Sequence, residues 1–303
     1  MEDGVPFIPH DEVLRYEELA QLVDVAVSLG TSKVRITGGE PFARKGCADF
    51  LLRLRRQFPT LDLRLTSNGT LLEPHIPLLQ RIGLSAVNLS LDSFDRETFR
   101  RVTGHDLLPQ VLSALDALLA AGIRVKINTV AMRGVNDRQM ADFVHAARTM
   151  PIDVRFIEFM PMGSGTRWTP ENFWSADEIQ QEAARFVRLV PESRAAEPEA
   201  GPARMYRLEG GLGRLGFISP LSNHFCSDCN RLRISSNGNL RTCLFADREY
   251  RLRPLLRHPA VSRESLVRAI VAASAAKPIG ADILKARRTG EAVARRHMVG
   301  IGG

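Results

Sequence analysis

AVNLSLDSFDRETFRRVTGHDLLPQVLSALDALLAAGIRVKINTV, residues 86–130, decides the fold. It opens on AVNLSLD (86–92) and closes on IRVKINTV (123–130). Between them runs the amphipathic stretch LLPQVLSALDALLAAG, which stops at Gly122. A glycine just past the last apolar position ends a helix, so the segment reads strand, helix, strand. Working outward, KVRITGG (33–39), LDLRLTSN (61–68) and IDVRFIEF (152–159) are further strands, and YEELAQLVDVAVSLG is a helix ending at Gly30. Repeated βα units of this length require crossover connections and so build a parallel sheet.

Parallel strands covered on both faces usually read as continuous apolar runs. Four of these five alternate instead. Val34 and Ile36 alternate with Lys33, Arg35 and Thr37; Leu63 and Leu65 with Arg64, Thr66 and Asn68. Val87, Leu89 and Leu91 alternate with Asn88, Ser90 and Asp92; Val125 and Ile127 with Arg124, Lys126 and Asn128. The fifth loses the pattern after Phe156, as at a bulge. One sheet face is thus apolar and packs on helices, and the other is polar. A curved sheet or partial barrel around a polar ligand uses such a face, with its chemistry at the strand C-termini.

The 303 residues suggest two domains, with a boundary near residue 162: 1–162 for the βα part and 163–303 for the rest. Hydrophobic residues make up 44% and charged ones 25%, which fits a globular chain and excludes a disordered one. No apolar run is long enough for a membrane helix. The start MEDGVPFIPHDE lacks the apolar core of a signal peptide, so a cytoplasmic location is expected. The net charge of +7 is uneven: residues 1–203 hold 23 Lys/Arg against 27 Asp/Glu, and residues 204–303 hold 18 against 7. The C-terminal third therefore invites an anionic partner.

In that third, Ser175 with Glu178 is a capping box, PESRAAEPEAGPA (191–203) is a surface loop, and a last helix starts near Ser262. Gly211-x-Gly213-x-x-Gly216 has the letters of a dinucleotide fingerprint, but FISPLSNHFC after it has no helical period, so a glycine-rich hairpin is expected. Cys226-x2-Cys229-x13-Cys243 is the stronger signal. Asn237-Gly238 reads as a two-residue type I′ turn that sets Cys243 opposite Leu232 and gathers three thiolates. Two metals fit this spacing: a zinc ion with His224 as fourth ligand, or an iron–sulfur cluster whose fourth iron stays open to substrate. Arg231 and Arg233 fall on one side of their strand, where they can grip phosphate. Cys47 reads as a small core residue.

VRITGGEP (34–41), LTSNG (65–69), VNLSLD (87–92), VKINTV (125–130), RFIEFM (155–160), FCSDCNRLRISSNGNLRTCLF (225–245) and the terminal IGG (301–303) follow one another along the whole chain. Together they resemble the radical S-adenosylmethionine (SAM) GTP 3′,8-cyclase family of molybdenum cofactor biosynthesis, a lyase family. The resemblance implies an α/β fold: a partial parallel (β/α) barrel with a C-terminal α+β domain that carries a cluster. It implies two [4Fe-4S] clusters, one that cleaves SAM to a 5′-deoxyadenosyl radical and one that binds GTP. The radical takes the ribose 3′ hydrogen, C3′ attacks C8, and 3′,8-cyclo-7,8-dihydro-GTP forms.

By position, the resemblance assigns Gly39, Ser90 and Met160 to SAM. It assigns Arg35, Thr66, Lys126, Arg231, Leu232 and Arg233 to GTP, and Cys226, Cys229 and Cys243 to the C-terminal cluster. Gly302 and Gly303 match a tail that enters the active site. An electron donor, cyclic pyranopterin monophosphate synthase as the next enzyme, and a homodimer are expected partners, with neither membrane nor nucleic acid. The family's C-x3-C-x2-C motif would lie just before EDGVPF and is not among these residues. The expectation is an N-terminally incomplete member that lacks its first strand and, alone, generates no radical. A different radical SAM enzyme with an auxiliary cluster and a zinc-ribbon nucleic-acid binder are the alternative readings.

Overall fold

All five strands of the sequence reading form, each within a few residues of its expected bounds. They are β1 (Lys33–Ile36), β2 (Asp62–Ser67), β3 (Ala86–Ser90), β4 (Val125–Ala131) and β5 (Ile152–Glu158). The computed structural model describes residues 8–163, 166–193, 201–226, 229–286, 294–295 and 300. Helices α1 (Tyr16–Ser28), α2 (Cys47–Gln57), α3 (Ile76–Arg81), α4 (Arg96–Thr103), α5 (Leu108–Ala120) and α6 (Met140–Thr149) alternate with these strands. Then follow α7 (Ala176–Ala184), β6 (Leu189–Pro191), β7 (Arg204–Leu208), β8 (Arg214–Ile218), β9 (Arg233–Ile234), β10 (Asn239–Arg241) and β11 (Tyr250–Arg251). Helices α8 (Arg253–Arg257), α9 (Arg263–Ala275) and α10 (Gly280–Ala286) complete the described chain.

The chain divides into two compact units, each assembled from separated segments. The first holds Arg64–Met160 and Arg167–Phe225; the second holds Glu2–Leu63, Pro161–Thr166 and Cys226–Gly303. In the first unit β2, β3, β4, β5 and β8 are parallel neighbours in that order, and β7 and β6 extend the sheet antiparallel beyond β8. The result is an unclosed parallel sheet with an antiparallel edge, the mixed α/β architecture of a partial barrel. Leu63, Leu65, Val87, Leu89, Val125, Ile127 and Val154 are fully buried. Helix α5 packs against β4, while α6 and α7 pack against β5 and β8. Burying each such side chain contributes about 1.5–3 kcal/mol, which fixes the strand register because a one-residue slip would turn every one outward.

The glycine cluster at 211–216 is a hairpin, as its sequence suggests. Gly211 N–H donates to Leu208 O (3.0 Å) and Gly213 N–H to Ala147 O (2.8 Å), tying the β7–β8 turn to the end of α6. A β-carbon on Gly213 would collide with the carbonyls of Ile152, Met150 and Ala147. Ser175 caps α7 through the Glu178 N–H, with the Glu178 carboxylate reaching back to Ser175 N–H (3.1 Å).

In the second unit the antiparallel ladder β11–β10–β9 lies with α1, α8 and α9. Its core joins Leu14, Leu22 and Val25 to Leu240, Leu252, Leu266, Ile270 and Ala273. The buried Glu18 of α1 takes Arg15 N–H (2.6 Å) and the Arg257 guanidinium (2.6 and 3.1 Å). That hydrogen bond to Arg257 pulls the Glu18 carboxyl down to about 2 despite its burial.

The turn before β10 differs from the expected one. Leu240 faces Ile234 and Arg241 faces Arg233, one residue off the register a two-residue turn gives. Gly238 has φ +80°, and no non-glycine among the described residues has positive φ, so Asn237 does not adopt a type I′ conformation. Ser235 accounts for the change. Its carbonyl accepts Gly238 N–H (2.9 Å), its N–H donates to Asn239 O (3.0 Å), and its hydroxyl donates to Asn237 Oδ1 (2.6 Å). This is a three-residue loop with the glycine as bulge. Extending its register would place Cys243 opposite Arg231 rather than Leu232.

Candidate active site

Strand pairing lines the polar face of the first unit into two rows. Thr66 faces Asn88, Asn88 faces Lys126, Lys126 faces Asp153 and Asp153 faces Arg214. One pleat further on, Ser90 faces Asn128, Asn128 faces Arg155 and Arg155 faces Gly216. Side chains at equal register in a parallel sheet share a face. Asn88, Lys126 and Arg155 are only 6%, 6% and 7% exposed, whereas Thr66 and Asn128 are half-buried and Ser90 is exposed, so the middle of this face is screened and its Ser90 end is open to solvent.

Burial of polar groups on this scale needs partners. Asp153 has them: Arg214 grips it bidentately (2.7 and 2.8 Å) and Arg124 adds a third bond (3.0 Å). Asn88 Oδ1 and Asn128 Oδ1 are buried and accept no hydrogen bond among the described residues. Lys126 is held down to about 8, first by burial and then by the like charges of Arg155 and Arg124, which outweigh the pull of Asp153. Two rows that set the unused amide oxygens of Asn88 and Asn128 beside the buried cations Lys126 and Arg155 suit a ligand that carries both anionic groups and hydrogen-bond donors.

The strand ends beyond these rows are fastened. Asp92 Oδ1 accepts Val130 N–H (2.8 Å), and its carbonyl accepts the Asn136 amide (2.9 Å), joining β3 to β4 just past Ser90. Burial pushes the Asp92 carboxyl up to about 6, against that backbone bond. Fully buried Glu158, at the end of β5 and two residues before Met160, accepts Ala176 N–H (2.9 Å), Leu221 N–H (2.9 Å), Ser222 N–H (3.0 Å) and the Ser222 hydroxyl. His224 Nδ1 lies 2.9 Å from Pro220 O.

In the second unit Arg35 lies on β1, and the Gly38-Gly39 turn follows it. A β-carbon on either glycine would meet no atom within 4 Å, which leaves the backbone open to close approach. Cys229 N–H donates to Cys226 O (3.2 Å), closing the turn between these cysteines. A β-carbon on Gly280 would stand 3.1 Å from Cys243 Sγ and 3.2 Å from Cys226 Sγ. The same β-carbon would stand 2.9 Å from the Phe245 ring, so the Gly280 backbone packs closely against both sulfurs and leaves no room for a side chain. Among the described residues no three His, Cys, Asp or Glu side chains converge on a single metal-ion position. A [4Fe-4S] cluster instead takes its thiolates on separate irons, and the three cysteines supply the soft donor set that such a group takes.

Burial raises the Cys226 thiol, although the N–H groups of Ala281 and Gly280 favour its thiolate. Burial also works against the Cys229 thiolate, but Arg231 N–H, the Arg231 charge and Lys277 together hold that thiol below its ordinary value. Arg233 is pushed down to about 10 by burial and by the Arg231 charge. Arg231 and Arg233 are half-buried while Leu232, between them, is exposed. Arg241, across the ladder from Arg233, pairs with Asp247 (3.8 Å) and Glu249 (3.5 Å).

The structure brings Thr66, Ser90 and Lys126 onto one face of the first unit, and Cys226 and Cys243 to one glycine of the second. Gly302 and Gly303 lie outside the described residues, as does most of the 191–203 loop. Asn88, Asn128, Arg155, Glu158 and Lys277 were not singled out from sequence. For the first three the signal was present: each lies two residues from another polar position on its strand.

Matches to known proteins give this arrangement a class. Residues 3–147 match the Radical SAM superfamily and residues 152–283 match Molybdenum Cofactor Synthesis C, so the chain is a radical SAM protein. The GTP 3′,8-cyclase of Thermodesulfovibrio yellowstonii is 40% identical over 275 residues, covering 89% of this chain and 84% of the relative. That of Heliobacterium modesticaldum is 42% identical over 281 residues, covering 91% and 84%. GTP 3′,8-cyclase 2 of Pseudomonas aeruginosa is 40% identical over 280 residues, covering 92% and 84%. The chain belongs to the GTP 3′,8-cyclase family. Among solved structures, Streptococcus suis SuiB superposes with TM-score 0.58 at 12% identity, over 94% of this chain and 71% of SuiB. That likeness shows the fold. No helix among the described residues is long and apolar enough to cross a membrane.

Proposed function

We propose that this chain acts in the cyclisation of GTP to 3′,8-cyclo-7,8-dihydro-GTP, the first step of molybdenum cofactor biosynthesis. The observation that carries this reading is the pair of buried cations Lys126 and Arg155 on adjacent strands. Asp153, beside Lys126, is already engaged by two arginines. Like charges in a buried row repel, as the lowered Lys126 reflects, and a polyphosphate relieves that repulsion. Lys126 and Arg155 then hold phosphate oxygens, and Thr66 and Asn88 orient the nucleotide. Gly39, Ser90 and Met160 are assigned to SAM, Arg35 to GTP, and Gly302 with Gly303 to an active-site tail.

Cys226, Cys229 and Cys243 would hold a [4Fe-4S] cluster, which when bound supplies an open iron for a purine atom. Arg231 and Arg233 beside these cysteines neutralise anionic charge, and Leu232 lies against the base. The family's C-x3-C-x2-C ligand set is not among the 303 residues. The part derived for this chain is therefore binding and orienting the nucleotide. The same reading includes the division at residue 162, an electron donor, a homodimer, a cytoplasmic location and transfer of product to cyclic pyranopterin monophosphate synthase.

Titration calorimetry of the anaerobically reconstituted chain tests this. GTP should bind more tightly than ATP, and Lys126→Met should weaken GTP at least tenfold. No preference for GTP, together with zinc in place of iron and sulfide, would sink the reading.

A further inference from the structure

Lys277 stands two residues past the end of α9, where Lys277 N–H still donates to Ser274 O (3.1 Å). Helix α9 is anchored in the second unit's core through Leu266, Ile270 and Ala273. The ammonium is therefore presented from a rigid support. Its Nζ lies 2.6 Å from Cys229 O, 3.1 Å from Arg231 O and 3.5 Å from Cys229 Sγ. An ammonium has three N–H donors and no acceptor. All three donors are matched to this one turn, so Lys277 is not built to grasp a phosphate. Three residues on, Gly280 packs closely against Cys226 and Cys243, where a β-carbon would stand 3.2 and 3.1 Å from their sulfurs. The five residues 277–281 thus lie by all three cysteines: Lys277 beside Cys229, the Gly280 and Ala281 N–H groups toward Cys226, and the side-chain position of Gly280 beside Cys243.

We propose that Lys277 is a positioning residue of the C-terminal cluster site. It locks the Cys229–Arg231 turn through two carbonyls and sets a fixed positive charge against the Cys229 sulfur. The proposal rests on the reading that the three cysteines hold an iron–sulfur cluster. Two consequences separate it from a lysine that only ties two loops together. A cation beside a thiolate ligand favours the more negative, reduced form of the cluster, so its removal moves the midpoint potential downward. Freeing the two carbonyls loosens the strand that presents Arg231 and Arg233, so GTP affinity falls as well.

The test uses the whole chain, reconstituted anaerobically as wild type, Lys277→Met, Lys277→Gln and Lys277→Arg. Iron and acid-labile sulfide per chain, an EPR-monitored redox titration and a thermal melt are read for each. The expected result is a more negative midpoint in the Met and Gln variants, severalfold weaker GTP binding in the Met variant, and recovery of the potential by Arg. Gln, which keeps N–H donors without charge, serves where Met does not fold. Wild type that takes up no iron and sulfide overturns the cluster reading itself. Wild type that loads normally, with a Met or Gln variant of unchanged potential and GTP affinity, overturns the role of Lys277 alone.

Discussion

Arg155 Cγ lies 3.1 Å from the point that a β-carbon on Gly216 would occupy. The arginine stem runs over a strand position left without a side chain, and Met205 Sδ closes the other side at 2.6 Å from the same point. Gly216→Ala overpacks this spot, with an expected stability loss of about 1–3 kcal/mol and a displaced guanidinium. Urea unfolding reads the first effect and GTP titration the second. A variant with wild-type stability and GTP affinity would contradict the packing described.

Lys126 gives the proposed GTP site a pH dependence of known sign. Burial and two neighbouring arginines hold the free lysine at about 8, and contact with phosphate raises it. Binding then takes up a proton, so affinity is full below that value and declines as pH rises through it, by up to about tenfold per unit. Calorimetry between roughly pH 7 and 9 in buffers of different ionisation enthalpy measures the uptake. Lys126→Met should flatten the profile, and a flat wild-type profile would refute the assignment.

These two residues also show how far the sequence was legible. Lys126 alternates with Val125 and Ile127, so periodicity alone placed it on the polar face. Arg155 still alternates with Val154 and Phe156; the pattern is lost beyond it because β5 is buried along nearly its whole length, with no bulge in its pairing to β4. Its pairing with Asn128 and Gly216 gives its row. The turn at Asn237-Gly238 was misread for a local reason: Ser235 offers the backbone a second set of bonds that dipeptide statistics do not contain. The contacts of Glu158 and Lys277 join segments 63 and 48 residues apart. No one-dimensional pattern encodes such contacts.

Glu158→Gln should destabilise the chain by about 2–3 kcal/mol. The carboxylate accepts from three backbone N–H groups and a hydroxyl, and an amide turns one acceptor into a donor facing those donors. Hydrogen exchange should quicken at Leu221 and Ser222 before it does in β4. Unchanged protection at both amides would disprove the clamp.

Gly280→Ala tests the close packing beside the sulfurs. The added methyl falls 2.9 Å from the buried Phe245 ring and 3.1–3.2 Å from Cys243 and Cys226 Sγ. The thermal midpoint should fall, and iron and sulfide retained after reconstitution should drop below wild type. Wild-type stability with full cluster content in this variant would contradict that packing.

Glu18 predicts an acid response of the second unit. Its carboxyl is lowered to about 2 from 4.5, so its contribution is complete above pH 4.5 and fades as pH falls through about 2. Glu18→Gln removes that contribution at neutral pH, about 2 kcal/mol for charge-assisted hydrogen bonds of this kind. The variant should also lose stability less steeply on acidification. Parallel acid titrations of the two proteins would argue against the Arg257 pairing.

The same pair has a consequence for synthesis in the cell. Glu18 and Arg257 are 239 positions apart, and the apolar stripe of α1 is completed only by β10 and α9. A chain emerging from the ribosome therefore presents Leu22 and Val25 early and closes over them last. During that interval the first helix has no finished surface of its own to rest on. Chains that grow at about 5–20 residues per second would leave this stripe uncovered for roughly ten seconds or more. Chaperone dependence and yield of the protein should follow the speed of translation, and synonymous slowing of the final segment should lower soluble yield without changing a single residue.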